Sequence, residues 1–411
     1  MYSVILLAFV IINDTIFYPD SQGYVDMDLN RSIGYPLFIE FHRILFGGNS
    51  ISVIAYTQFF LLLASAIFFV KSLRNTLHLN KWTLFTIFIV VLTPVFYELK
   101  LANSLLSESV AYPLYLFTIG NLLIAIFQNR KKNFYYALLL LYLLICVRGQ
   151  FLFLLPVIVV ATLFHDGNRI FTKEKIILLL STFAVFFTSI VTDVVFHKIQ
   201  HGYAATTPWT GIQISTLAFF TANKNDADAL KTKDQKEYFY HIYKQISNKK
   251  LLLSQIDDTV DVTDFYYDNY VSICNGTINE QGELFFTNRG NPEEQTILND
   301  KMSASITIPL IMDNFQKWFL MYFRIIVKGF GSAKYMIAFL FLLIASTGIF
   351  IKSKNKISKV LILFCLLLFG NIVLVALAEP VISRYTFYNN WILITILLYL
   401  FQQSFQKKSN D

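Results

Sequence analysis

Apolar stretches of membrane-crossing character recur along this chain and leave little room for any other architecture. They fall at 1–13, 50–70, 82–97, 105–127, 134–147, 149–165, 175–195, 334–351, 359–377 and 391–402. Apolar residues make up 55% of the sequence, with 41 Phe and 23 Tyr, and the mean hydropathy is +0.53. A water-soluble core could not enclose that much apolar surface, so lipid is the expected solvent for most of it. The pattern predicts an all-α polytopic membrane protein with about ten transmembrane helices, because a helix in hydrocarbon satisfies its own backbone polar groups. Several stretches are shorter than the ~20 residues that cross ~30 Å of hydrocarbon, so their boundaries are soft. The first reads as a span rather than a signal peptide, since no basic segment precedes it and no small-residue cleavage site follows it.

The loops sort by charge. Lys71, Arg74 and Lys81 share one short loop, and Arg130, Lys131 and Lys132 the next on that side. Arg169, Lys173 and Lys175 follow, then Lys352, Lys354, Lys356 and Lys359, then Lys407 and Lys408. The positive-inside rule therefore predicts both termini in the cytoplasm, with 14–49, 98–104, 148, 196–333 and 378–390 on the opposite side. The formal net charge of +7 is then chiefly a topology signal, and it gives nucleic-acid binding no support. This divides the chain into an N-terminal transmembrane region (1–195), an extracytoplasmic insert between the seventh and eighth spans (196–333) and a C-terminal transmembrane region (334–411). Cys146 and Cys365 fall in spans, which leaves Cys274 alone outside and no disulfide framework. If exposed, Cys274 would react with a membrane-impermeant thiol reagent from outside.

The outer segments have their own patterns. Residues 33–47 set Glu40, His42 and Arg43 among apolar neighbours, which suits a helix lying in the membrane interface. In the insert, 224–250 has the charge and aromatic spacing of an amphipathic helix. Asn291-Pro292-Glu293-Glu294 is a helix start, with an Asn cap, a Pro at the first helical position and two acids at the positive end of the dipole. That helix is expected to run toward Pro309. The cluster Asp257, Asp258, Asp261, Asp264 and Asp268 lacks the glycine and closing glutamate of an EF-hand and reads as a solvated acidic loop.

Chemistry concentrates at the outer ends of the spans. Asp14 and Asp20 lie just beyond the first one, in Asn13-Asp14-Thr15-Ile16-Phe17-Tyr18-Pro19-Asp20. Asp20 could serve as a general base for an acceptor hydroxyl at the membrane surface, or simply cap the turn after Pro19. Asp14 could equally just end the first helix. Arg31, Arg148 and Arg384 fall on the outer side, against the charge bias. Guanidinium forks match phosphate oxygens, so these arginines are candidates to hold a lipid phosphate, with snorkelling to headgroups as the plainer alternative. Glu108 stands at the outer mouth of a span, where an unpaired carboxylate is costly. It could orient the acceptor, pair with an arginine or help bind a divalent ion, or be neutralised by nearby Lys100. No nucleotide-binding P-loop, Rossmann glycine fingerprint, Gly-x-Ser-x-Gly elbow or zinc-type Cys/His spacing is present.

The ordered series of these pieces resembles the GT-C glycosyltransferases, the polytopic enzymes that use polyprenyl-phosphate-linked sugars, such as protein O-mannosyltransferases and the lipid A aminoarabinose transferase. The series is Asp20 and Tyr24, Gly34-Tyr35-Pro36, Leu106-Ser107-Glu108-Ser109, Arg148, and Glu379 with Arg384-Tyr385. The resemblance implies Asp20 as the catalytic carboxylate, a lipid-linked donor and an active site away from the cytoplasm. With Arg31 and Lys100 added for their place on the outer side, Tyr24, Arg148, Glu379, Arg384 and Tyr385 become candidate substrate-binding residues beside catalytic Asp20, Glu108 and Asp14. Two departures stand out. Asp20 is followed by Ser21, where many members carry a second acid, so Asp14, Asp26 or Glu108 must supply it. The insert also precedes the last three spans instead of forming a C-terminal domain. The expected protein is an inner-membrane glycosyltransferase moving a sugar to a glycan, lipid-linked saccharide or protein. No cofactor is required by the sequence, though a divalent cation has candidate ligands. A lipid-linked oligosaccharide flippase or an O-antigen polymerase-like protein is the alternative.

Overall fold

The computed structural model describes residues 2–97, 99–164 and 172–408; Arg169, one of the basic loop residues, lies outside them. Helices carry nearly all of the regular structure. In chain order they begin with α1 (Tyr2–Ile12), α2 (Ser21–Val25), α3 (Gly34–Phe46), α4 (Ser50–Leu77), α5 (Lys81–Leu92) and α6 (Glu108–Phe127). Next come α7 (Lys131–Val147), α8 (Leu154–Phe164), α9 (Lys173–Gln200), α10 (Thr210–Thr221), α11 (Lys233–Asn248) and α12 (Val262–Ile273). The series ends with α13 (Glu280–Phe285), α14 (Pro292–Asp313), α15 (Phe315–Gly329), α16 (Ala333–Ser353), α17 (Lys356–Ala378), α18 (Ser383–Thr386) and α19 (Asn390–Lys408). Among the described residues the only β pairing outside them is a single parallel bridge between Ile16 and Ser104.

Five helical runs are long and apolar enough to cross a membrane: Gly34–Leu77, α6, α9, α16 and α17. Length therefore supports five crossings among the described residues, against about ten expected from hydropathy. Local breakers account for part of the difference. The 3₁₀ turn Thr93–Val95, with Pro94, stops α5 after 12 residues. Another, Gly149–Phe153, delays the start of α8 until Leu154. Residues 33–47 do form a helix, α3, which buries Tyr35, Pro36, Ile39 and His42 and exposes Leu37, Phe41, Ile44 and Leu45.

The chain folds as two compact units, Met1–Phe196 with Ala338–Asn371 and Ser383–Asp411, and His197–Ile337 with Ile372–Ile382. In the first, α6 packs against α4 and α7 and is buried along most of its length, with Tyr112, Tyr115, Ile119 and Leu123 essentially inaccessible. Because α6 sits inside protein on all sides, Glu108 at its first residue is carried into the interior as well.

In the second unit, Phe219, Phe220, Phe239, Ile242, Tyr266 and Ile306 form the core. The Tyr238 hydroxyl lies between Asn299 Oδ1 (2.6 Å) and Ser303 Oγ (2.8 Å). Asn291 caps α14 by accepting from the Glu294 amide, with Pro292 at the first helical position, as the sequence predicts. The helix then runs through Pro309 to Asp313 rather than ending near the proline. Within the expected helix 224–250, the α-helical part is α11, whose start is fixed by a Thr232–Gln235 capping box. The acidic cluster serves local backbone needs: Asp257 accepts from the Thr259 amide, and Asp261 caps α12 by accepting from Thr263 and Asp264. Among the described residues, no group of three or more His, Cys, Asp and Glu side chains is placed to hold a metal ion.

Asp300 accepts from the amides of Gly211 (2.7 Å) and Ile212 (3.2 Å) at the start of α10. Burial nevertheless raises its carboxyl pKa, outweighing those two hydrogen bonds. The folded chain thus holds this proton more tightly than the unfolded one, and the associated stability is lost as pH rises through the raised pKa. Asp300→Asn keeps the accepting oxygen without the charge. Its melting temperature relative to wild type is expected to rise steadily with pH across that window, which thermal unfolding at a series of pH values measures.

Cys274 is only 1% exposed, and burial pushes its thiol up to about 11. It is therefore not the accessible handle its position outside the spans suggested, because both access and thiolate fraction are low. Impermeant maleimide is expected to leave Cys274 unmodified until the protein is denatured, whereas Asp258→Cys, at an exposed position, is labelled from the outer face. Labelling of Asp258→Cys only in inverted vesicles would overturn the loop assignment.

Candidate active site

The first loop is fastened to the stretch that leads into α6. Ile16 donates its amide to Asn103 O (2.8 Å), and Leu105 returns one to Ile16 O (3.0 Å). Asn103 Nδ2 donates to Val10 O (3.0 Å) and Asn13 O (2.7 Å), and Ser21 Oγ donates to Leu105 O (2.8 Å). These bonds set the turn Tyr18–Ser21 beside the start of α6, with Asp20 on the side of Glu108. Asp20 occupies the N-cap position of α2 but makes no capping bond; the Ser21 hydroxyl accepts the Tyr18 amide instead. The turn-capping alternative therefore does not describe Asp20, whose carboxylate faces arginines.

Three guanidiniums and two carboxylates meet there. Arg384 Nη2 donates to Asp20 Oδ2 (2.7 Å), and its Nε donates to Glu108 Oε1 (2.5 Å). Arg31 Nη2 reaches Asp20 Oδ1 at 3.2 Å. Arg148 Nη1 pairs with Glu108 Oε1 at 2.7 Å and also donates to Ser107 Oγ (3.1 Å). Ser107 Oγ in turn lies 3.2 Å from Glu108 Oε2 and 3.1 Å from the Tyr24 hydroxyl. Each carboxylate is thus shared by two arginines, and Arg384 bridges them.

Backbone close approach makes the arrangement possible. A Cβ on Gly23 would stand 2.8 Å from Arg31 Nε, and one on Gly34 would stand 2.8 Å from the Val147 amide nitrogen, next to Arg148. A side chain at Gly34 would run into the Val147 backbone, and one at Gly23 would displace the Arg31 side chain. Arg148 occupies one extended residue (φ −152°, ψ 120°) between α7 and the following 3₁₀ turn. The stretch bearing Arg384 is held from behind: Gln150 Nε2 donates to Tyr385 O (2.7 Å) and Asn371 Oδ1 (2.7 Å), and Asn371 Nδ2 also donates to Tyr385 O (2.9 Å). The Tyr385 ring centroid lies 5.5 Å from the guanidinium carbon of Arg148 and 6.0 Å from that of Arg384.

Exposure separates the two acids. The Glu108 side chain is fully buried, whereas that of Asp20 is 30% exposed. Only Asp20 can meet a substrate without rearrangement, and Glu108 is suited to fixing Arg148 and Arg384. Three guanidiniums converging on one site are able to accept an anionic ligand. Burial disfavours the charge on Arg384, but Glu108, followed by Tyr385 and Asp20, more than compensates and raises its pKa. The Tyr24 phenol is held protonated, first by burial and then by the charge of Glu108. Its ring lies 4.9 Å from the Arg31 guanidinium carbon, and Arg31 Nε is buried without a hydrogen-bond partner.

Of the residues singled out from sequence, the structure thus brings together Asp20, Tyr24, Arg31, Glu108, Arg148, Arg384 and Tyr385. Asp14, exposed just after α1, is not among them. Lys100 adopts a left-handed backbone (φ +44°) and turns toward the Phe9 ring, so it does not neutralise Glu108. Glu379 belongs to the second unit, where Gln213 donates to it, and Asp26 accepts from Gln22 (2.8 Å) on the surface. The sequence assigns no separate role to Ser107, Gln150 or Asn371. Their signal was weak but present: Ser107 and Gln150 flank the acid and the arginine, and Asn371 is a lone amide in an apolar run.

The chain is thus a helical protein with membrane-compatible helices and, in its first unit, a partly buried Arg–carboxylate cluster centred on buried Glu108. No family model matches it, and neither does any curated protein or solved structure.

Proposed function

We propose that the protein is a membrane glycosyltransferase that moves a sugar from a polyprenyl-phosphate donor to an acceptor hydroxyl on a glycan, lipid-linked saccharide or protein. The observation that carries this reading is the sharing of half-exposed Asp20 between Arg31 and Arg384, beside buried Glu108. A donor phosphate offers the arginines a stronger partner than a single carboxylate, with bidentate geometry. As it takes up Arg384 and Arg31, Asp20 is released to act as base. The acceptor oxygen then bonds to the anomeric carbon as the carbon–oxygen bond to phosphate breaks. The proton passes to Asp20, and the phosphate leaves with the electron pair, stabilised by the guanidiniums. The transition state has the oxocarbenium character of glycosyl chemistry. Release of the base only after donor binding protects the donor from hydrolysis.

In this reading no divalent cation is needed, because the arginines supply the positive charge and already engage both carboxylates. The protein sits in the inner membrane, with both termini cytoplasmic and the cluster on the outer side, as the loop charges indicate. The test is sugar transfer from a panel of radiolabelled polyprenyl-phosphate sugars by purified protein. Absence of turnover with every donor would favour the flippase reading, which uses the arginines without a base.

A further inference from the structure

Helix α15 lies outside the five candidate spans, yet it turns a continuous apolar strip outward. Phe315, Phe319 and Phe323 are 53, 46 and 43% exposed. Their rings stack one turn apart, with centroids 5.7 and 6.5 Å from each other. Leu320 extends the strip, as do Met312 and Ile308 at the end of α14, the last two about 70% exposed. A second face is buried through Trp318, Met321 and Ile325, and a third carries Lys317, Arg324 and Lys328. An exposed apolar strip of this length on a non-spanning helix marks an interaction surface.

Chain connectivity says what covers it. Three residues, Phe330–Ser332, separate α15 from α16, which is long and apolar enough to cross a membrane. Even fully extended, that link reaches only about 14 Å. Exposed apolar residues also continue along the sequence into the first turns of α16 with Tyr335 and Ile337. The surface that meets lipid along α16 is thus continuous in sequence with the strip on α15.

We propose that α15 is an interfacial helix, with its Phe315–Phe319–Phe323 strip sunk into the headgroup–acyl boundary of the leaflet in which α16 begins. Exposed Arg324 is then left to headgroups and water, while Lys328 keeps its pairing with Asp264 and Lys317 its bond to Asn223. Apolar residues in and a charged residue out is the division expected of an amphipathic helix lying on a bilayer. The helix anchors the second unit to the bilayer surface independently of any transfer reaction.

Nitroxide labels at Phe319→Cys and Arg324→Cys test this in full-length protein reconstituted in phosphatidylethanolamine–phosphatidylglycerol vesicles. Wild type taken through the same labelling serves as the blank for native thiols. Neither position touches the Arg–carboxylate cluster, and both are exposed, so the fold is expected to persist. The ratio of oxygen to nickel-chelate accessibility should be at least about threefold higher at position 319 than at 324. Equal ratios at the two positions would place the strip in water and overturn the proposal. An immobilised label at 319 that neither reagent reaches would show the strip covered by protein, which overturns it equally.

Discussion

Asp20→Asn is expected to lower sugar transfer by about 10²–10⁴-fold, the usual contribution of a positioned general base, while donor binding is kept or tightened. The two effects are opposed for a physical reason. The substitution removes the proton acceptor, but it also releases Arg31 and Arg384 from the carboxylate that holds them at 3.2 and 2.7 Å in the resting site. An anionic donor then finds its arginines less committed. Turnover of a radiolabelled donor and its equilibrium binding, measured on the same preparations, separate the two. Equal turnover by wild type and variant would remove Asp20 from the chemistry. Loss of binding together with turnover would mean that the substitution had collapsed the cluster. Asp14→Asn is the control: the side chain is exposed and outside the cluster, so turnover should be unchanged.

Glu108→Gln should have the largest effect on stability. This side chain is wholly buried and neutralises Arg148 and Arg384 at once. Removing one partner of a buried ion pair costs about 3–5 kcal/mol; Arg384 keeps Asp20 at 2.7 Å, so the loss falls chiefly on Arg148. Glutamine keeps the volume and an accepting oxygen, so the loss reports charge rather than a cavity. Unfolding in detergent should move to a clearly lower midpoint. Adding Arg384→Ala to Glu108→Gln should cost much less than the sum of the single substitutions, since residues in one charge network do not behave additively. A Glu108→Gln midpoint equal to that of wild type would mean that water or lipid headgroups compensate the arginines. The two substitutions thus probe different duties: Asp20 for turnover, Glu108 for the frame that holds the arginines.

Much of this is legible in the amino-acid sequence. Hydropathy alone dictates helices, because lipid-facing backbone must satisfy its own hydrogen bonds, and the cap at Asn291–Glu294 follows from local donors and acceptors. The sequence also singled out the outward Arg31, Arg148 and Arg384 and the boundary acids Asp20 and Glu108, since a charge at the edge of lipid needs a reason to be there. It could not pair them. Arg384 meets Asp20 across 364 positions and Glu108 across 276, and no local periodicity encodes contacts at that range. Proximity in sequence even misled: Lys100 stands eight positions before Glu108 but turns to Phe9, and Glu379 stands five before Arg384 but is engaged by Gln213. Residue chemistry and the membrane boundary decided which groups could matter. The packing of α6 and the tether between Ile16 and Asn103–Leu105 decided which of them share one site, because only the folded backbone fixes where separate chain segments meet.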